Sequence, residues 1–135
     1  MERHTVVVNG SPVVVNMFGG RNYVNVTPHD INVQLPDGTD AIMAKAGVQV
    51  NARSSETVSG ERDGVRFVRQ SFSGSEADEA MLAALEVAVP NAFIIGSILS
   101  AQAYPGRILG LVSVPGFERM PPNEKKMLVD KFSIY

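Results

Sequence analysis

The hydrophobic pattern of the first half of the chain reads as successive short strands, some of them continuous β-branched runs and others alternating apolar and polar positions with period two. Residues 5–9 (Thr-Val-Val-Val-Asn) and 13–17 (Val-Val-Val-Asn-Met) are β-branched runs flanking Gly10-Ser11-Pro12, which predicts a hairpin. Gly19-Gly20 breaks the chain, and residues 23–26 alternate with period two. Pro28 biases Thr27 toward extended geometry, so 27–30 is expected to bend before a strand over 31–35. Pro36-Asp37-Gly38 marks a turn. Two more strands are expected at 48–53 and 65–70, joined by a polar, mobile loop over 54–64.

Beyond residue 74 the period changes. Ser75 precedes Glu76-Ala77-Asp78-Glu79, with Ser75 and Asp78 at capping-box spacing and carboxylates where the helix dipole favours them. Met81, Leu82 and Leu85 supply the apolar stripe, and Pro90 stops the helix. A second helix is expected over 96–104, ended by Pro105-Gly106, then a buried strand over 108–114. The tail offers Pro121-Pro122, a short charged helix over 123–129, and a terminal Phe132-Ser-Ile-Tyr135. These patterns predict an α+β fold, a strand-rich N-terminal half of mostly antiparallel sheet with helices in the C-terminal half. The 135 residues form one expected domain, 1–135.

Composition narrows the function classes. Hydrophobic residues are 44% and charged ones 19%, outside the range of disordered chains, and no apolar run approaches the roughly 18–20 residues of a membrane span. Met1-Glu2-Arg3-His4 leads into strand-like sequence, not into a signal-peptide pattern, so a cytoplasmic location is expected. With no cysteine, disulfides and thiolate chemistry are excluded. A net charge of −2 argues against a long nucleic-acid partner, though a ligand with two or three phosphates needs only a few donors.

No phosphate-binding loop, dinucleotide fingerprint, His-x-x-x-His pair or nucleophile elbow is present, and neither a cofactor nor a metal is expected. His29 with Asp30 is the one conceivable acid–base or metal pair, set against a histidine that simply caps a turn. Acidic residues cluster where a solvated face accounts for them. From Val87 to Phe117 no acidic residue occurs and Arg107 is the only charge. The second helix would therefore present unopposed amide donors near Ser97 to an anion. The expected ligand-binding set is Asn91, Ser97, Gln102, Tyr104, Arg107, Phe117, Arg119 and Lys125, the aromatics stacking on a base and the cations holding phosphate. The competing reading is structural. An acid-free apolar stretch is what a core segment looks like, Tyr104 and Phe117 are more often core, and Lys125-Lys126 is more often a solvated face.

Asn25-Val26-Thr27-Pro28-His29-Asp30-Ile31-Asn32-Val33, Asp37-Gly38 and 95–103 together resemble small phage- and prophage-encoded proteins with an Asn-Leu-Thr-Pro-His motif, Val26 standing where leucine is usual. Residues 101–107 and 116–127 look like phage proteins of unassigned role. In size, in a strand-rich first half and helical second half, and in lacking catalytic residues, the chain is similar to the anti-Thoeris sponge of the first type. That resemblance implies a homo-oligomer with ligand pockets between subunits, in an infected bacterial host. It also implies that a small cyclic nucleotide or cyclic ADP-ribose-type signal of Thoeris or CBASS immunity is bound and not cleaved. The alternatives are a phage structural or protein-interaction module, with the Val-rich hairpin and the 132–135 terminus as assembly surface, and a phosphodiesterase-type hydrolase using His29 and Asp30.

Overall fold

The computed structural model describes residues 1–135. Ten strands and two helices follow in the order β1 (Glu2–Val8), β2 (Ser11–Phe18), β3 (Arg21–Asn25), β4 (Ile31–Gln34), β5 (Asp40–Met43), β6 (Arg53–Arg62), β7 (Val65–Ser73), α1 (Glu76–Ala88), β8 (Phe93–Gly96), α2 (Ile98–Ala103), β9 (Leu109–Ser113) and β10 (Met127–Ser133). Eight strands form one sheet in the order β1-β2-β3-β8-β9-β10-β4-β5, while β6 and β7 pair only with each other. The α+β class holds, strands predominating. Most strand pairings are antiparallel, as expected, while β3–β8, β8–β9 and β10–β4 are parallel. The second half is not a helical half, since β8, β9 and β10 lie between and after the helices.

The sheet curls until its far strand meets its beginning. The Asn16 side chain on β2 donates to Ala44 O and accepts from Ala44 N, both at 2.9 Å, standing in for a strand backbone. Arg3 on β1 donates to Ile42 O. Past β5 the chain bonds back to the start of the sheet, with Ala46 N donating to Asn25 O, Val14 N to Ala46 O and Val50 N to Val26 O. These bonds cover part of the edge that β5 exposes as the last strand of the sheet.

Alternation then gives the closed region two cores. Tyr23, Val33, Met43, Ile95 and Val129, one each from β3, β4, β5, β8 and β10, form the inner cluster. Their neighbours Val24 and Ile94 point the other way, into a larger cluster with Val8, Val13, Val15, Leu82, Leu85, Val89, Tyr104 and Ile108 beneath the two helices. At about 1.5–3 kcal/mol for each fully buried aliphatic side chain, the α1 residues Leu82 and Leu85 are major contributors to that layer. A pair of glycines lets Ile108 and α2 come close. Gly96 and Gly110 are register partners on β8 and β9, and a Cβ would meet Ile108 Cγ2 at 2.7 Å in the first and Ile98 Cδ1 at 2.7 Å in the second.

Three local expectations are corrected. The predicted loop over 54–64 is almost wholly strand, and the predicted strand over 48–53 is irregular except at Arg53. Val50 is buried in the larger core and its amide is spent on Val26 O, so this stretch packs without becoming a sheet strand. The predicted helix over 123–129 is instead a turn followed by β10, where Met127 pairs with both Val33 and Ser113. Strand pairing on both sides outweighs the weak helical propensity of that charged segment. No helix is long and apolar enough to cross a membrane.

Candidate functional site

The predicted anion cradle is not assembled. Arg107 is committed within the chain: Nη1 lies 2.5 Å from Glu79 Oε1 and Nη2 lies 2.6 Å from Glu86 Oε1. The hydrogen bonds that it donates to Glu86 and then to Glu79 push its already high pKa further up, so the guanidinium stays charged but is neutralised by two carboxylates. The cleft beside it, about 380 Å³, is lined by Gly74, Ser75, Glu76, Glu79, Tyr104 and Arg107, among others, and its carboxylates repel an anion. Absence of acid from 87–117 in sequence did not mean absence of acid in space. The helix that supplies it, α1, lies alongside.

The remaining predicted residues have mostly structural environments. Tyr104 is buried, and its hydroxyl accepts from Ser75 N, fixing the start of α1. A Cβ on Gly74 would lie 2.4 Å from that hydroxyl, so glycine is required there for close approach. Ser97 caps its own helix by accepting from Ser100 N, and Ser100 Oγ donates to Val50 O. Asn91 sits at φ 62° in the turn between α1 and β8, a conformation asparagine tolerates. Gln102 is exposed on α2. Phe117, Arg119 and Lys125 lie beyond the far end of β9 from Arg107, and five strand residues put roughly 16 Å between the two groups. There the Phe117 ring is already faced by Lys126 Nζ at 5.4 Å, itself paired with Asp40.

The Thr-Pro-His segment is a knot. Asn25 is buried; its Oδ1 accepts from Thr27 N and Thr27 Oγ1, and its Nδ2 donates to His29 O and Met43 O. Asp30 accepts from Lys45 N. This network ties the end of β3 to β5 and the segment that closes the sheet. His29 contributes its carbonyl to it, and no group of three or more His, Asp or Glu side chains forms a metal-ligand cluster.

The feature that stands apart is the β6–β7 ribbon. Asp63 and Gly64, at φ 53° and 81°, make its two-residue turn, and nine cross-strand pairs run from Arg62↔Val65 at the tip to Arg53↔Ser73 at the base. Ten residues of strand extend about 33 Å. Only Gly60 and Phe72 are even half-buried. Val58 (63% exposed), Val65, Phe67 and Val68 are all open to solvent. This arm touches the body near its base, where β7 approaches α2.

Cross-strand partners share a face, so the register sorts the arm into two unlike surfaces. One, the A face, carries the pairs Ser54–Phe72, Glu56–Gln70, Val58–Val68 and Glu61–Arg66. The other, the B face, carries Arg53–Ser73, Ser55–Ser71, Thr57–Arg69, Gly60–Phe67 and Arg62–Val65. The B face holds three arginines and no carboxylate, with the Arg62 guanidinium 5.9 Å from the Phe67 ring centroid. None of the arm's four arginines forms a salt bridge. Sequence reasoning missed this surface because residues 54–62 are too polar to read as strand. The available signal was Asp63-Gly64, a hairpin turn followed by the alternating Val65-Arg66-Phe67-Val68-Arg69. Comparison with known proteins returns no matching family, no matching curated protein and no matching solved structure.

Proposed function

We propose that this chain is a protein-interaction module that works as an assembly of its own copies, joined through the β6–β7 arm. One observation carries the reading: a ribbon about 33 Å long with apolar side chains on both faces and, beyond its base at Phe72, no layer of its own chain over either. An isolated two-stranded hairpin is marginally stable at best, and a third element against its face is what ordinarily fixes it. The body needs no such help, having two filled cores. Replacing residues 54–72 by a short turn and measuring mass by sedimentation equilibrium tests this. The intact chain is expected to give a multiple of 14.5 kDa at high concentration and the shortened one a folded monomer. A monomeric intact chain at every concentration contradicts the proposal.

A second reading has its own observation, the acid-free B face. Arg62 and Arg69 flank Phe67 there, a ring for a base and two guanidinium groups for phosphate oxygens. Such a face captures a compact nucleotide signal by binding alone, and general acid–base groups have no part in it. Equilibrium dialysis against cyclic dinucleotides and cyclic ADP-ribose isomers, followed by heat release and assay of the ligand, tests it. Intact recovered ligand, lost in Arg69→Ala, supports capture. Cleaved ligand indicates an enzyme, and no depletion removes the reading.

A further inference from the structure

We infer that two copies of this chain join A face to A face with their arms parallel, about a two-fold axis running along the ribbon. This rests on the self-association proposed above and specifies its surface and register. A two-fold axis along the strands lays β6 of one copy over β7 of the other at the same height. Val58 then lies over Val68 of the second copy and Val68 over Val58, forming a four-valine centre. At the next level toward the tip, Glu61 lies over Arg66 and Arg66 over Glu61; toward the base, Glu56 lies over Gln70. Every charge on the face meets an opposite charge or a neutral amide.

The antiparallel alternative fails on the same residues. An axis across the ribbon at the valine level keeps β6 over β6 and places Glu61 over Glu56, two carboxylates facing each other, while Arg66 meets only Gln70. Like charges set against each other at an interface are a strong discriminator between arrangements. The B face cannot serve in the same way, since three arginines without a carboxylate repel their own copies. Self-pairing therefore selects the A face and leaves the B face outward.

The contact is modest in size. A ribbon about 33 Å long and roughly 10 Å wide covers some 300 Å², below the roughly 800 Å² per partner of a standard stable interface. The dimer is accordingly reversible and concentration-dependent, the valines supplying contact area and the Glu61–Arg66 quartet fixing register.

Because the chain has no cysteine, paired thiols report the register directly. Gln70→Cys thiols lie at the same height in the parallel dimer but roughly 13 Å apart along the strands in the antiparallel one, where Gln70 lies over Arg66, so Gln70→Cys chains are expected to cross-link with a short bis-maleimide. Absence of that cross-link under conditions where the variant dimerises overturns the parallel arrangement. Charge exchange supplies an independent arm. Glu61→Arg and Arg66→Glu chains are each expected to lose at least tenfold in self-association, and their mixture to regain it as a heterodimer. Circular dichroism and thermal melts verify that each variant remains folded. A mixture that stays monomeric while the unaltered chain dimerises overturns this inference and leaves self-association standing. An unaltered chain that never associates overturns both.

Discussion

Leu85 on α1 and Val68 on the arm are both apolar residues in regular structure, yet the first is fully buried and the second 41% exposed. The body covers its apolar positions twice over, with helices outside the curled sheet and an inner cluster within it. The arm covers only Phe72 at its base, and that one by half. The contrast separates two regions: the body fills its cores with its own chain, whereas most of the arm's apolar residues have no covering layer from that chain.

The largest expected effect sharpens that contrast. Leu85→Ala removes a fully buried side chain from the larger core and is expected to cost about 2–5 kcal/mol in urea unfolding. Val68→Ala is expected to change the unfolding of the monomer by less than about 0.5 kcal/mol while weakening association. A loss for Val68→Ala comparable to that of Leu85→Ala, measured at a concentration where the chain is monomeric, breaks the comparison. Next in size is the knot below the curled sheet. Asn25→Ala strands Thr27 N and the carbonyl of Met43 without their partner, and about 1–3 kcal/mol of destabilisation is expected from such a loss. Thermal melting is expected to fall accordingly, with the arm's self-association per folded molecule unchanged.

Smaller still is Arg107→Ala. Its two ion pairs are about one-third to one-half exposed, and exposed pairs contribute about 0–1 kcal/mol. The raised pKa of the guanidinium means that this contribution, present below its ordinary value, is lost only as pH rises through the higher one. No change with pH on the alkaline side is expected within the range where the fold survives. Melting within a few degrees of the unaltered chain is the expected result, with no effect on anion binding. A selective loss of anion binding in Arg107→Ala would restore the cradle that the structure does not assemble.

The parts of the fold legible from residues were those written in local chemistry. Ser75, the acidic first turn and the Leu82–Leu85 stripe specify α1, and Ser97 and Pro105 bracket α2. The illegible parts depended on distant partners. Residues 127–133 become a strand because β9 and β4 flank them, and residues 54–62 because β7 pairs with them, although serine, glutamate and threonine give the latter no apolar alternation. The candidate site failed to read for a related reason. Arg107 has no acidic neighbour within twenty residues before it or ten after it in the chain, yet α1 brings Glu79 and Glu86 to its guanidinium.

Hydrogen exchange across a concentration series tests the central claim most directly. Amides of β6 and β7 are expected to exchange rapidly in dilute solution and to gain protection as concentration rises, while those of β3 and β8 stay protected throughout. Arm amides as slow as those of β3 in dilute, monomeric protein, with no further change on concentration, would contradict an arm completed by a second copy.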